Sequence, residues 1–225
     1  MQRQIALPLS KAIEIAWKSI RLRLRRSLLV TSGIVLAIAF LMAMLTSEAM
    51  TDAMRDWVQH GPAAMSVDRQ RLDASMRANG VPTAPDELAD ARLQTRWVLA
   101  LALLVAFVGV LNAMLMSVTE RYREIGTMKC LGALDGFIVK LFLLESLFHG
   151  IAGSVIGVAC GLATAFISIT ITYGRLGWMN FPTTRLASSA IACLVIGIVL
   201  TIGGAVYPSW RAARMQPVEA MRVEA

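Results

Sequence analysis

The sequence predicts an all-α polytopic membrane protein with four transmembrane helices, and three observations carry that expectation. The first is composition. Of 225 residues, 56% are hydrophobic and only 16% charged, with a mean hydropathy of +0.62; a soluble domain carries about 25% charged residues. The second is a set of four apolar runs, 28–47, 97–118, 149–171 and 188–207, each near the roughly 20 helical residues that a bilayer demands. The third is charge placement. Residues 1–27 hold Arg3, Lys11, Lys18, Arg21, Arg23, Arg25 and Arg26 against one acid, Glu14, whereas 48–96 hold six arginines against eight acids. Positive charge collects on the cytoplasmic side, so the N-terminus is placed there. Four spans return the C-terminus to the same side, where Arg211, Arg214 and Arg222 agree.

The elements follow in order. In 1–27, Leu9, Ile13, Trp17, Ile20 and Leu24 recur at helical spacing, with Lys11, Lys18, Arg21 and Arg25 mostly off that stripe. Such an amphipathic N-terminal helix lies on the inner leaflet, its bases meeting anionic headgroups, which makes membrane lipid a partner. The run 28–47 begins too late and runs too long for a signal peptide. Residues 48–96 read as a small helical extracytoplasmic cap. "SEAMTDAMRDWVQH" carries the first helix out of the bilayer until Gly61-Pro62 stops it, and "SVDRQRLDASMRA" is a second helix ending at Asn79-Gly80. Pro85 suits the first turn of a helix entering the span 97–118. The 49 residues of 48–96 are too few for an independent enzyme domain, and they are expected to be a docking surface. A charged stretch and an interfacial segment, "FIVKLFLLESLF", fill 119–148 before the third span, 149–171. A short outer loop, 172–187, and the fourth span, 188–207, precede a cytoplasmic tail, 208–225.

Small residues recur at every fourth position in the later spans. Gly153, Gly157, Gly161 and Ala165 form one stripe; Ser189, Cys193, Gly197, Thr201 and Ala205 form another. Such stripes let membrane helices approach closely. The glycine stripe is therefore expected to pack within one protomer, most simply against the fourth span.

Several chemistries find no support. The net charge of +7 gathers at the inner membrane surface rather than in a nucleic-acid-binding patch. No GxxxxGK[ST] occurs, so no P-loop is present, and no HExxH or paired cysteines suggest a metal. Cys130, Cys160 and Cys193 fall in the inner loop and the spans, which excludes a disulfide framework. Ser154 lies five residues after His149, the wrong helical face for a nucleophile and its base. Lys140, Glu145 and His149 sit near the inner interface, with a proton relay through Glu145 and His149 as the alternative reading.

That leaves the charged stretch, "SVTERYREIGTMKCLGALDG", 117–136. Glu120 and Arg123 can pair at i,i+3, Tyr122, Ile125 and Met128 give an apolar edge, and Gly126 and Gly132 allow close approach or a turn. A short amphipathic helix beneath a membrane domain can dock something soluble, and on the residues alone a merely solvated loop is the equal alternative. The stretch "LNAMLMSVTERYREIGTMKCLGALDGFIVKLFLLESLFHGIAGSVIGVACG" closely resembles the permease domain of FtsX/MacB-type ABC transporters. The resemblance rests on Asn112, then Glu120, Arg121, Glu124, Ile125 and Gly126, then Lys129, Leu131, Gly132 and Ala133, then Phe142 and Glu145, and finally Gly150, Gly153 and Gly157. "WKSIRLRLRRSLLVTSGIVLAIAF" and "YPSWRAARMQPVEAMR" extend it to everything but the cap.

The resemblance implies a non-catalytic permease subunit in the bacterial cytoplasmic (inner) membrane. It implies a second permease copy, two copies of a separate cytoplasmic ATPase, and an extracytoplasmic partner protein. ATP and Mg would reside on the ATPase, with no cofactor in this chain. The helix carrying Glu120, Arg121, Arg123, Glu124, Ile125, Gly126, Lys129 and Gly132 would be the coupling helix, driving export or mechanical signalling across the membrane. The alternatives are a membrane scaffold without ATP coupling and a proton-coupled secondary transporter.

Overall fold

The computed structural model describes residues 24–60, 66–82, 85–178 and 181–215. The amphipathic helix expected in 1–27 lies almost wholly outside the described residues, as does the tail beyond Met215. Among the described residues regular structure is all helical: α1 (Leu24–His60), α2 (Ser66–Ala78), α3 (Pro85–Glu120), α4 (Tyr122–Cys130), α5 (Asp135–Tyr173), a 3-10 turn (Gly174–Trp178) and α6 (Thr183–Ala213). Among the described residues four stretches are long and apolar enough to cross a membrane: Thr31–His60, Glu87–Glu120, Asp135–Tyr173 and Thr183–Ala213. Each helix outruns its apolar core. No proline or glycine interrupts "FIVKLFLLESLFH", so the interfacial segment and the third span form one helix of 39 residues.

The described chain forms two compact units. The first comprises 24–34, 105–153 and 196–215. Its apolar core is Val118 of α3, Ile125 of α4, Ile138 and Phe142 of α5, and Ala212 and Ala213 at the end of α6. Small residues set the spacing here. A Cβ on Gly153 would stand 2.8 Å from Ile34 Cγ2 of α1, and one on Gly204 of α6 would stand 2.8 Å from Val110 Cγ1 of α3. Gly150 leaves the room that the Thr201 side chain of α6 occupies.

The second unit comprises 35–82, 85–104 and, within 154–195, the described residues. Here α2 is held by burial. Leu72 and Met76, one turn apart and each 1% exposed, enter a core with Met50 and Met54 of α1, Ile169 of α5 and Leu186 of α6. Two such side chains contribute on the order of 1.5–3 kcal/mol each. Gly80 ends α2 at φ +69, and Val81 N–H returns to the Met76 carbonyl at 3.0 Å, a left-handed stop that favours glycine. Arg69 then donates to the carbonyls of Val58 and Gln59, groups at the end of α1 that have no partner within their own helix. Asp52 of α1 joins further elements, contacting Arg55 at 2.8 Å, Arg92 of α3 at 3.3 Å and Arg185 of α6 at 3.6 Å.

One expectation is corrected. The glycine stripe of α5 packs on the first span, not the fourth. Within the second unit, a Cβ on Gly157 would meet Ile38 Cβ at 2.9 Å, and one on Gly161 would meet the Ala39 carbonyl oxygen at 2.5 Å. The physical reason is complementarity of size. Ile34, Ile38 and Met42 of α1 recur every fourth residue and are fully buried, giving large side chains for the glycine gaps to receive.

Candidate functional site

α3 and α4 are separated by one residue. Arg121, at φ −101 and ψ 11, leaves the helical region for a single step, and Ile125 N–H restarts the ladder on the Arg121 carbonyl at 2.9 Å. The Arg121 side chain turns inward. Its Nη1 and Nη2 donate to the two Glu145 oxygens of α5, both at 2.6 Å, and each side chain is 8% exposed. This parallel fork is the geometry that a guanidinium and a carboxylate share best. Phe142, one turn before Glu145, places its ring centroid 5.8 Å from the guanidinium carbon, adding a cation–π contact.

The far end of α4 is fixed as well. The Lys129 ammonium donates to the carbonyls of Ala213 and Met215, where α6 ends, and pairs with Asp135 at 2.9 Å. A cation there satisfies carbonyls that no further helical turn will bond. Gly132 stops α4 at φ +91, with Ala133 N–H bonded to the Met128 carbonyl at 2.9 Å and Gly132 N–H to that of Lys129 at 3.0 Å. This is the paired closure that a left-handed glycine permits. Ile125 supplies apolar burial between the two ends.

The eight residues expected to serve coupling therefore divide. Arg121, Ile125 and Gly126 are buried, and Lys129 is nearly so. Glu120, Arg123, Glu124 and Gly132 are exposed. The structure brings Arg121, Ile125 and Lys129 onto α3, α5 and α6 and buries Gly126, and it presents the second group on the open side. Sequence reasoning did not pair Arg121 with Glu145 or Lys129 with the end of α6. A signal for the first existed, because a carboxylate inside "FLLESLF" requires a cationic or polar partner in an apolar setting. Among the described residues no three His, Cys, Asp or Glu side chains converge as a metal site would require. The Ser154 hydroxyl is fully buried and meets no hydrogen-bonding group among those residues.

Residues 97–217 match the family described as FtsX-like permease C-terminal, a stretch of more than half the chain that includes α4, its tethers and Glu145. The chain belongs to the FtsX-like permease family. It is 35% identical over 125 residues to an uncharacterized ABC transporter permease, YknZ, of Bacillus subtilis, covering 55% of this chain and 30% of that one. It is 38% identical over 120 residues to the macrolide export ATP-binding/permease protein MacB of Pectobacterium atrosepticum, covering 53% and 18%. A match of 34% over 134 residues to the permease YtrF of Bacillus subtilis covers 55% and 30%. The chain thus spans less than a third of these relatives. Together with its four long apolar helices, membership makes it a multi-pass membrane protein of the ABC permease type.

The tethers of α4 give a direct expectation. Lys129→Met keeps the aliphatic stem but strands carbonyls at the end of α6, a loss on the order of 1–3 kcal/mol. Hydrogen exchange should quicken in α4 and the last turn of α6 while the rest of the chain keeps its protection. Unchanged exchange there would show that the ammonium contributes nothing.

Proposed function

We propose that this chain is the permease subunit of an ABC transporter, passing ATP-driven movement from a separate cytoplasmic ATPase across the inner membrane. The observation that carries the reading is the two-sided nature of α4. One side is fastened to α6 by Lys129, and its entry is fastened to α5 by Arg121, the residue before it; the other side exposes Arg123 and Glu124, next to the exposed Glu120 that ends α3. A soluble partner gripping the exposed side would pull on helix ends directly, which suits a coupling helix. The name of the MacB relatives, joining ATP-binding to permease, supports an ATPase as that partner. ATP and Mg belong on the ATPase, two copies of which would serve two copies of this chain.

Charge placement sets α4 and both termini in the cytoplasm, leaving α2 and the adjoining ends of α1 and α3 as the extracytoplasmic cap. The Gln70, Arg71, Ala74 and Arg77 side of α2 is exposed, and it is the surface offered to an extracytoplasmic protein. Movement would then reach that partner as export or as a mechanical signal.

Reversing the two exposed charges of α4 tests the reading. Arg123→Glu combined with Glu124→Lys should cut the ATPase that co-purifies from native membranes at least tenfold. Neither side chain enters the core, so helix content and folded yield should stay at wild-type levels. Undiminished ATPase capture would remove α4 as the docking element, and a wild-type chain that captures no ATPase would favour a membrane scaffold.

A further inference from the structure

Three arginines from three helices converge on one carboxylate in the second unit. Asp52 of α1 holds Arg55 of the same helix at 2.8 Å, but Arg92 of α3 stands at 3.3 Å and Arg185 of α6 at 3.6 Å. Those two contacts are longer than the roughly 2.7–2.9 Å of a close charge-assisted bond. The Arg92 and Arg185 side chains stay 57% and 63% exposed, and each guanidinium has N–H donors to spare. The Arg55 Nε is buried and meets no hydrogen-bonding group among the described residues. Glu48 and Arg96, one turn nearer the apolar runs, form no ion pair among those residues. Four arginines thus face two carboxylates, and two positive charges are left over. The neighbouring acids are engaged or turned away. Asp56 pairs with His60 at 3.1 Å, and Glu87 and Asp90 line a cleft with Arg77 of α2, on another side of α3. Asp86 precedes Asp90 by one turn, on that same side by register. The undescribed loop residues 61–65, 83–84 and 179–180 carry no acid. The tails 1–23 and 216–225 join α1 and α6 at their other ends, about 42 Å of helix away.

The patch lies at the depth of lipid headgroups. Asp52 and Arg92 are each five residues, and Arg185 three, from the ends of the apolar runs 28–47, 97–118 and 188–207, at most about 8 Å of helix. The headgroup layer is about 5–8 Å thick on each face of a bilayer. Trp97, beside Arg96, is 69% exposed, and Trp178 folds back on Phe166 and Thr170 near the end of the run 149–171; indoles collect at that boundary. We infer that Arg55, Arg92 and Arg185 form a site for the phosphate of an anionic phospholipid of the phosphatidylglycerol kind. Its two free phosphate oxygens accept from guanidinium forks, and its charge offsets the repulsion among the arginines. Below the headgroup, exposed Ala100 and Leu104 continue the face of Arg92 and Arg96 into the bilayer, where acyl chains cover them. A zwitterionic lipid brings its own ammonium and would leave the patch positive. This site stands at the far end of α1 from the basic segment 1–27, and so at the other bilayer face from the headgroups expected there.

Photolabelling in phosphatidylcholine nanodiscs tests it. A trace of phosphatidylglycerol carrying a diazirine beside its headgroup should label the full chain within 48–56, 90–97 or 183–188, as mapped by peptide mass spectrometry. Excess unlabelled phosphatidylglycerol should suppress that label at least fivefold; inorganic phosphate should not. Arg92→Gln with Arg185→Gln should lose the label at least fivefold, while Arg71→Gln with Arg77→Gln, which alters exposed bases of α2, should keep it. A thermal melt of the first glutamine pair at the wild-type temperature guards against reading misfolding as lost binding, and the competition on the wild-type chain needs no variant at all. Equal labelling by a phosphatidylcholine probe, or full labelling of the first glutamine pair, would overturn the site. Suppression by inorganic phosphate alone would assign the arginines to a free anion instead. A patch that is labelled in nanodiscs but shielded in native membranes would assign them to an acidic protein, and either result overturns the lipid.

Discussion

Glu145→Ala should lower the stability of the chain by about 3–5 kcal/mol, the cost of leaving one member of a buried ion pair without its partner. Arg121 is 8% exposed and its Nε meets no hydrogen-bond partner among the described residues, so the two charge-assisted bonds seen for the guanidinium depend on Glu145. The Phe142 ring would remain as a compensating contact worth about 0.5–2 kcal/mol, too little to offset the loss. Arg121→Ala should be similarly costly. The pair Arg121→Met with Glu145→Leu should recover most of the loss, because well-packed apolar side chains replace a buried ion pair at little net cost. Thermal unfolding of the purified protein in nanodiscs, followed by tryptophan fluorescence, reads all of these. A Glu145→Ala chain that melts with the wild type would show that the fork contributes no stability.

The same pair marks where the sequence stops being legible. The four long helices follow from apolar runs that have no other stable solution in a bilayer. The bounds of α2 follow from local chemistry, since Asn79-Gly80 supplies its left-handed stop and Leu72 and Met76 share one face. The stripe Gly153, Gly157, Gly161 announced a close helix contact, but glycine has no side chain with which to specify a partner. That choice was made by Ile34, Ile38 and Met42, far away in the chain. Arg121 and Lys129 were legible as members of a charged helix, and their direction was not. Whether a base on a nine-residue helix faces solvent or a helix end depends on where Glu145 and Ala213 are brought, which is a tertiary fact. Gly126 shows the same limit: the motif singles it out, and only the fold turns it inward.

Gly161→Leu should abolish recovery of folded protein, and even Gly161→Ala should cost about 1–3 kcal/mol, the usual range for overfilling a packed contact. The argument rests on what a Cβ would strike. At Gly161 the nearest atoms are the Ala39 carbonyl oxygen at 2.5 Å, Met42 Cβ at 2.7 Å and Ala39 Cα at 3.1 Å. Two of the three are backbone and the other is rigidly attached to it, so no rotamer change relieves the overlap and α1 must move bodily. Gly153 is less demanding, because its nearest neighbours are Ile34 Cγ2 at 2.8 Å and Ile34 Cβ at 3.0 Å, farther than the 2.5 Å backbone oxygen met at Gly161. Gly33, with nothing within 4 Å among the described residues, is the control: alanine there adds helix propensity worth about 1 kcal/mol and meets no obstacle among them. The expected order of melting temperature is Gly33→Ala at or above wild type, then Gly153→Ala, then Gly161→Ala. Size-exclusion yield of each variant from membranes supplies the second measure, with Gly161→Leu giving aggregate alone. Equal stability of Gly161→Ala and Gly33→Ala would mean that α1 and α5 do not meet backbone to backbone at this position, since alanine cannot fit in the space that separates them.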